Sequence, residues 1–174
     1  MNKPMLIITD RLTITEFDES MIEDVHKNSL DEDNRRFVPD EVFETVEDAK
    51  RTVAFLMKCY KGDKGPFVYP LLLMNGDNIG YVQAVPLKSG WEIGYHIAKK
   101  YTGNGYATEA VKSFLPIIME WLCIEQIEGH CLIENIASCT VLEKCGFTLV
   151  YKGIGDYQGE ARDICRYLYE RSTL

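Results

Sequence analysis

The stretch that most constrains the fold is Trp91-Glu92-Ile93-Gly94-Tyr95-His96-Ile97, a strict two-residue alternation. It runs almost directly into Lys100-Tyr101-Thr102-Gly103-Asn104-Gly105-Tyr106-Ala107 and then into a helical pattern. Alternation of period two is the mark of a strand with two different faces. Glycine lets the following turn bring its backbone close to a ligand. The N–H groups that open a helix then converge on an anion, with the helix dipole behind them. Strand, glycine turn and helix in this order require a layered α/β arrangement and can hold a pyrophosphate without a cluster of lysines. A Gly-x-Gly turn alone also occurs for steric reasons where strands end and helices begin. Two nucleotide-binding patterns are excluded: Thr108 stands where a third glycine would complete GxGxxG, and no GKS or GKT is present.

The elements on either side can be read from their periods. Ala107, Ala110, Val111, Phe114, Leu115, Ile118 and Leu122 recur at helical spacing, and Pro116 predicts a kink or a split in that helix. Upstream, residues 6–17 predict a first strand, 18–30 a helix, and the acidic segment after them a loop. Thr45 with Asp48 forms an N-cap pattern ahead of Ala49, Val53, Leu56, Met57 and Tyr60 on one helical face. Phe67–Met74 and Ile79–Val85 predict a hairpin around Asn75-Gly76-Asp77-Asn78, with Pro70 marking an edge or a bulge. Residues 126–133 predict a strand, 136–145 a short helix closed by Gly146, and the remainder a terminal hairpin turning near residues 156–160. Hairpins in the middle and crossover helices later predict one domain over residues 1–174 with a mixed α/β sheet.

Composition narrows the functions. Nineteen basic against 27 acidic residues give a net charge of −8, which repels a phosphate backbone and disfavours nucleic acid. The same charge serves solubility, or attracts a cationic acceptor. The six cysteines show no zinc spacing, so no metal is expected and most of them read as reduced packing residues. The apolar stretch near the N-terminus is too short for a signal peptide or a membrane span, which predicts a cytoplasmic protein with no membrane partner.

Read together with Asn135-Ile136-Ala137-Ser138 and Val141-Leu142-Glu143-Lys144-Cys145-Gly146-Phe147, the glycine loop resembles the paired cofactor motifs of GNAT acetyltransferases. Thr9-Asp10-Arg11-Leu12 and Ala161-Arg162-Asp163 are similar to the first and last strands of the branch that acetylates ribosomal-protein N-termini. The resemblance implies a largely antiparallel central sheet with splayed middle strands and helices on both faces. It also implies acetyl-CoA as co-substrate, a small-molecule or peptide amine as acceptor, and leaves room for a homodimer. Gly103, Asn104, Gly105, Tyr106 and Ala107 would bind the pyrophosphate through their backbone, with Lys100 where Gln or Arg is usual. Ile97 and Ala98 would pair with the pantetheine arm. Asn135 would bind that arm, cap the following helix, or do both.

Acetyl transfer needs a base for the amine and a donor for the departing thiolate. Alternation puts Glu92, Gly94 and His96 on one strand face, with Glu92 and His96 roughly 13 Å apart, so they are alternative bases and not a pair. Glu92, acting through water, is preferred by resemblance to the family arrangement. Leu142 occupies the position where many relatives carry a tyrosine acid. Ser138 resembles the serine that serves the thiolate in the ribosomal-protein branch, or it satisfies the first turn of its helix. The alternatives to an N-acetyltransferase are a non-catalytic acyl-CoA-binding regulatory domain and an unrelated phosphate binder.

Overall fold

The computed structural model describes residues 4–171. Eight strands form one sheet in the order β1-β2-β3-β4-β5-β6-β8-β7. In chain order these are β1 (Leu6–Ile8), β2 (Leu12–Thr15), β3 (Phe67–Leu73), β4 (Asn78–Pro86), β5 (Trp91–Ile97), β6 (Gln126–Leu132), β7 (Thr148–Tyr157) and β8 (Glu160–Glu170). Every neighbouring pair is antiparallel except β5 and β6, which run parallel and are in register only at Glu92 and Glu128.

Five helices, α1 (Ile22–Ser29), α2 (Glu32–Phe37), α3 (Val46–Cys59), α4 (Tyr106–Leu122) and α5 (Ile136–Lys144), complete the layers. Alternate residues of β3 divide the interior between the two faces. Val68 joins Phe17, Val53 and Leu56 in a small core with α1 and α3, while Tyr69 and Leu71 belong to the main core with Ala110, Phe114 and Ile118 of α4. Helix α5 packs on that second face through Leu142. A Cβ at Gly129 would lie 2.7 Å from a Leu142 methyl, so this position of β6 needs glycine for the helix to approach.

Three local expectations are corrected and one is met in part. Residues 6–17 are two paired strands, broken at Thr9 and Asp10. The acidic loop contains α2, capped by the Asp31 side chain on the Asn34 amide and fixed by the buried Asn34, whose Nδ2 donates to the Ser29 and Glu41 carbonyls. Pro70 lies in an interior strand and not at an edge, but beside the other expected feature, a bulge. The β2 ladder nevertheless ends at Leu71, so Pro70 has only β4 beside it, and a register shift follows at once between Leu71 and Leu72. Pro116 does not split α4. The proline lies on the exposed side of one continuous helix, where the Lys112 carbonyl it frees can be hydrated.

The predicted capping box of α3 is present, with Thr45 and Asp48 bonding each other's backbone amides. Phe114 is fully buried against Tyr69, at a ring-centroid distance of 5.5 Å. Phe114→Ala is expected to lower unfolding stability by about 3–5 kcal/mol, measured as a shift in the urea midpoint.

Candidate active site

The divergence of β5 from β6 opens a cleft of about 880 Å³ that passes through the sheet. The Ala98 amide donates to the Ile79 carbonyl at 2.8 Å, which sets the phase of the β4–β5 ladder. In an antiparallel ladder, alternate residues turn both main-chain groups to the same side, so Tyr95 and Ile97 aim theirs at β6. Beyond the Glu92–Glu128 register point, β6 no longer runs alongside to receive them. They form an open backbone edge that a ligand can join as an added strand. Ala98 is different: its amide is taken by Ile79 and its carbonyl accepts from the Tyr101 amide at 2.8 Å.

This edge leads to the glycine loop. Gly103 and Gly105 both have φ of 79°, a conformation that L side chains rarely adopt, and no heavy atom lies within 4 Å of a Cβ built at Gly103. Gly105 is the N-cap of α4 and no side chain caps the helix, so the first-turn amides remain for an anion. The Asn104 side chain turns back onto the Tyr101 and Thr102 carbonyls. The Lys100 ammonium lies over the Tyr101 ring, 4.7 Å from its centroid.

An Arg11 clamp, whose structural role the sequence did not disclose, holds the loop from outside. Arg11 Nη1 donates to the Asn104 carbonyl at 2.9 Å, its Nε donates to Glu109 at 2.6 Å, and its guanidinium covers the Tyr106 ring. The Thr9 hydroxyl donates to the same Glu109 carboxylate at 2.6 Å. Burial would push the Glu109 carboxyl up, but the hydrogen bonds from Thr9 and Arg11 outweigh it and hold the group below its ordinary pKa.

Across the gap, Asn135 Oδ1 accepts the Ser138 amide at 3.1 Å and caps α5. The Tyr95 hydroxyl reaches both the Ser138 carbonyl, at 2.9 Å, and the Ser138 hydroxyl, at 3.0 Å. Alternation along β5 puts Tyr95 on the opposite strand face from Glu92, and its partner belongs to another element. Leu142 is buried against Gly129, so an apolar packing contact fills the position where a tyrosine is common.

On the other face of β5, Glu92 Oε2 lies 3.4 Å from His130 Nδ1, and His130 Nε2 lies 2.8 Å from Glu128 Oε2. The bond to Glu92 is the main cause that raises the His130 pKa, against the opposing effect of burial. His130 was missed because the residues it joins belong to strands that meet only in three dimensions. His96 lies apart from this chain, with its Nε2 3.6 Å from Asp31 Oδ2. Burial raises the Asp31 pKa, but the adjacent His96 side chain and hydrogen bonds from the Asn34 and Lys99 amides prevail and bring it down to about 2.

Glu41 also lines the cleft, on the turn after α2, and the Gln83 side-chain amide donates to it at 3.3 Å. Burial first, then the neighbouring Asp40 charge, pushes its pKa up to about 7. Between the ordinary value of 4.5 and about 7, the folded protein holds a proton that the unfolded chain releases. Stability attributable to Glu41 therefore falls as pH rises through that window. Urea unfolding at pH 5 and pH 8 is expected to show a wild-type decline that Glu41→Gln reduces.

Residues 11–148 match the family model described as an acetyltransferase (GNAT) domain. The N-acetyltransferase YnaD of Bacillus subtilis is 33% identical over 145 residues, covering 82% of each chain. A GNAT-family acetyltransferase from Bacillus anthracis superposes with a TM-score of 0.81 at 27% identity, over 95% of this chain and 98% of that one. RimL, the ribosomal L7/L12 α-N-protein acetyltransferase in complex with coenzyme A, shares the fold at a TM-score of 0.82 and 18% identity, over 96% of this chain and 98% of that one. With a matching family model across most of its length and a relative of this identity, the chain belongs to the GNAT family of acetyltransferases.

Proposed function

We propose that the protein moves the acetyl group of acetyl-CoA to a primary amine, such as a protein N-terminus, by direct attack. The carrying observation is the open main-chain edge at Tyr95 and Ile97, which leads onto an uncapped helix N-terminus at Gly105. The residues present fit the cofactor: the backbone of Gly103, Asn104, Gly105, Tyr106 and Ala107 would hold the pyrophosphate, and Ile97 with Tyr95 the pantetheine arm. Ala98, its own groups engaged, would hold Ile97 in place. Asn135 keeps its Nδ2 for the arm while its Oδ1 caps α5. RimL, of the same fold, was captured with coenzyme A, and the microcin C7 self-immunity acetyltransferase MccE, at a TM-score of 0.77, with acetyl-CoA. The protein would work in the cytoplasm, where its free cysteines stay reduced.

Acetyl-CoA, when bound, supplies a thioester carbonyl and a thiol leaving group. Glu92 takes the proton of the acceptor ammonium through water, the nitrogen lone pair forms the N–C bond, and the second N–H proton ends on the CoA sulfur as the C–S bond breaks. His130, which touches both Glu92 and Glu128, holds the Glu92 carboxylate and conducts the proton onward. Ser138, positioned by Tyr95, donates to the sulfur as the C–S bond breaks.

Acetyl-CoA is expected to raise the melting temperature of the protein, and suitable amines to release CoA. Gly105→Val, which strains a positive φ in the loop, is expected to abolish the thermal shift. Glu92→Gln is expected to lower kcat by about 10²-fold while keeping that shift. Folded protein that shows neither binding nor turnover overturns the reading. Binding without turnover across an amine panel leaves a non-catalytic acyl-CoA-binding regulatory domain instead.

A further inference from the structure

A second cavity, of about 420 Å³, lies between α1, α3 and the sheet. Phe17, Val25, Phe43, Phe55, Leu56 and Val68 line it, and Phe55 is 52% exposed. It adjoins the cleft: Asp40, Glu41, Tyr81, Gln83, Val85 and His96 line both. Gly94 makes the junction possible, because a Cβ there would lie 2.6 Å from Gln83 Nε2, the group that reaches over to Glu41. The Glu41 backbone is fixed twice, by Asn34 on its carbonyl and by the Val38 carbonyl on its amide.

The junction and the chamber differ in chemistry. Carboxylates of Asp40, Glu41 and Glu92 line the cleft at this end, while the six chamber residues named above are apolar. We propose that the chamber receives an apolar side group of the acceptor, whose ammonium docks among Asp40, Glu41 and Glu92. The acceptor is then a primary amine with an apolar group one side chain away, as in a peptide beginning with Leu or Phe. This rests on acetyl transfer to an amine in the adjoining cleft.

The experiment compares acetylation of short peptides that differ only in the first residue: Phe, Leu, Ser or Gly. Phe and Leu peptides are expected to exceed Gly in kcat/KM by about 10-fold or more, the effect of burying one apolar side chain. Thr52→Trp, which fills the chamber from α3 without touching the cleft residues, is expected to remove that advantage. It should leave the Gly-peptide rate and the acetyl-CoA thermal shift unchanged. Val25→Trp, which fills it from α1, gives the same readout if Thr52→Trp does not fold. Equal wild-type rates for Gly, Leu and Phe peptides overturn the chamber while acetyl transfer stands. A preference that survives in a folded filled variant does the same. Acetyl-CoA binding with no peptide or amine acetylated overturns the transfer reading itself, and the chamber's role with it.

Discussion

The parting of β5 from β6 is the constraint on which the rest of the site depends. Two parallel strands that met along their whole length would satisfy each other's main chain and leave no edge. Here the ladder is in register at one pair, Glu92 and Glu128, and the main-chain groups of Tyr95 and Ile97 go without a strand partner. The opening is bounded on both sides. At its closed end, His130 bridges the two carboxylates that mark the last common register point. At its open end, the glycine loop and α4 turn the chain away from the gap.

The two faces of the sheet divide the work. On one, the main core of α4 and α5 holds Tyr95 against Ser138 and packs Leu142 onto Gly129. On the other, Glu92, His130, His96 and Glu41 gather where the packing of α1 and α3 is incomplete. A reaction carried out between them has its sulfur-side donor in the tightly packed layer and its amine-side carboxylates in the looser one. This fits the general need for a rigid support near the cofactor and space near a variable acceptor.

Much of this architecture was legible in the residues. The α3 capping box, the β3–β4 hairpin around Asn75-Gly76 and the strand–loop–helix core all carry local signals strong enough to survive tertiary packing. Helix α2 was not legible, because Glu32-Asp33-Asn34-Arg35-Arg36-Phe37 has no apolar period. Its stability comes from the Asp31 cap and from Asn34, which bonds carbonyls on either side of it. Glu41 was hidden for the same reason, since its position derives from that clamp. His130 and Tyr95 were visible as strand residues, but their partners belong to other elements, and only the sheet order brings them together. Pro70 was read correctly in part: its missing N–H does require an unpaired side, which the short β2 ladder supplies inside the sheet.

The Arg11 clamp has a consequence for how the protein becomes competent. Its contacts to Asn104 and Glu109 join residues 93 and 98 positions apart, so the glycine loop takes its shape only after the first hairpin has found the first turn of α4. During synthesis the N-terminal strands must wait for more than half the chain to appear. Closing so long a segment costs entropy before any contact compensates it. A ligand that favours the shaped loop therefore also favours the closed hairpin. In this protein, loading the cofactor and finishing the N-terminal edge of the sheet are two views of one equilibrium.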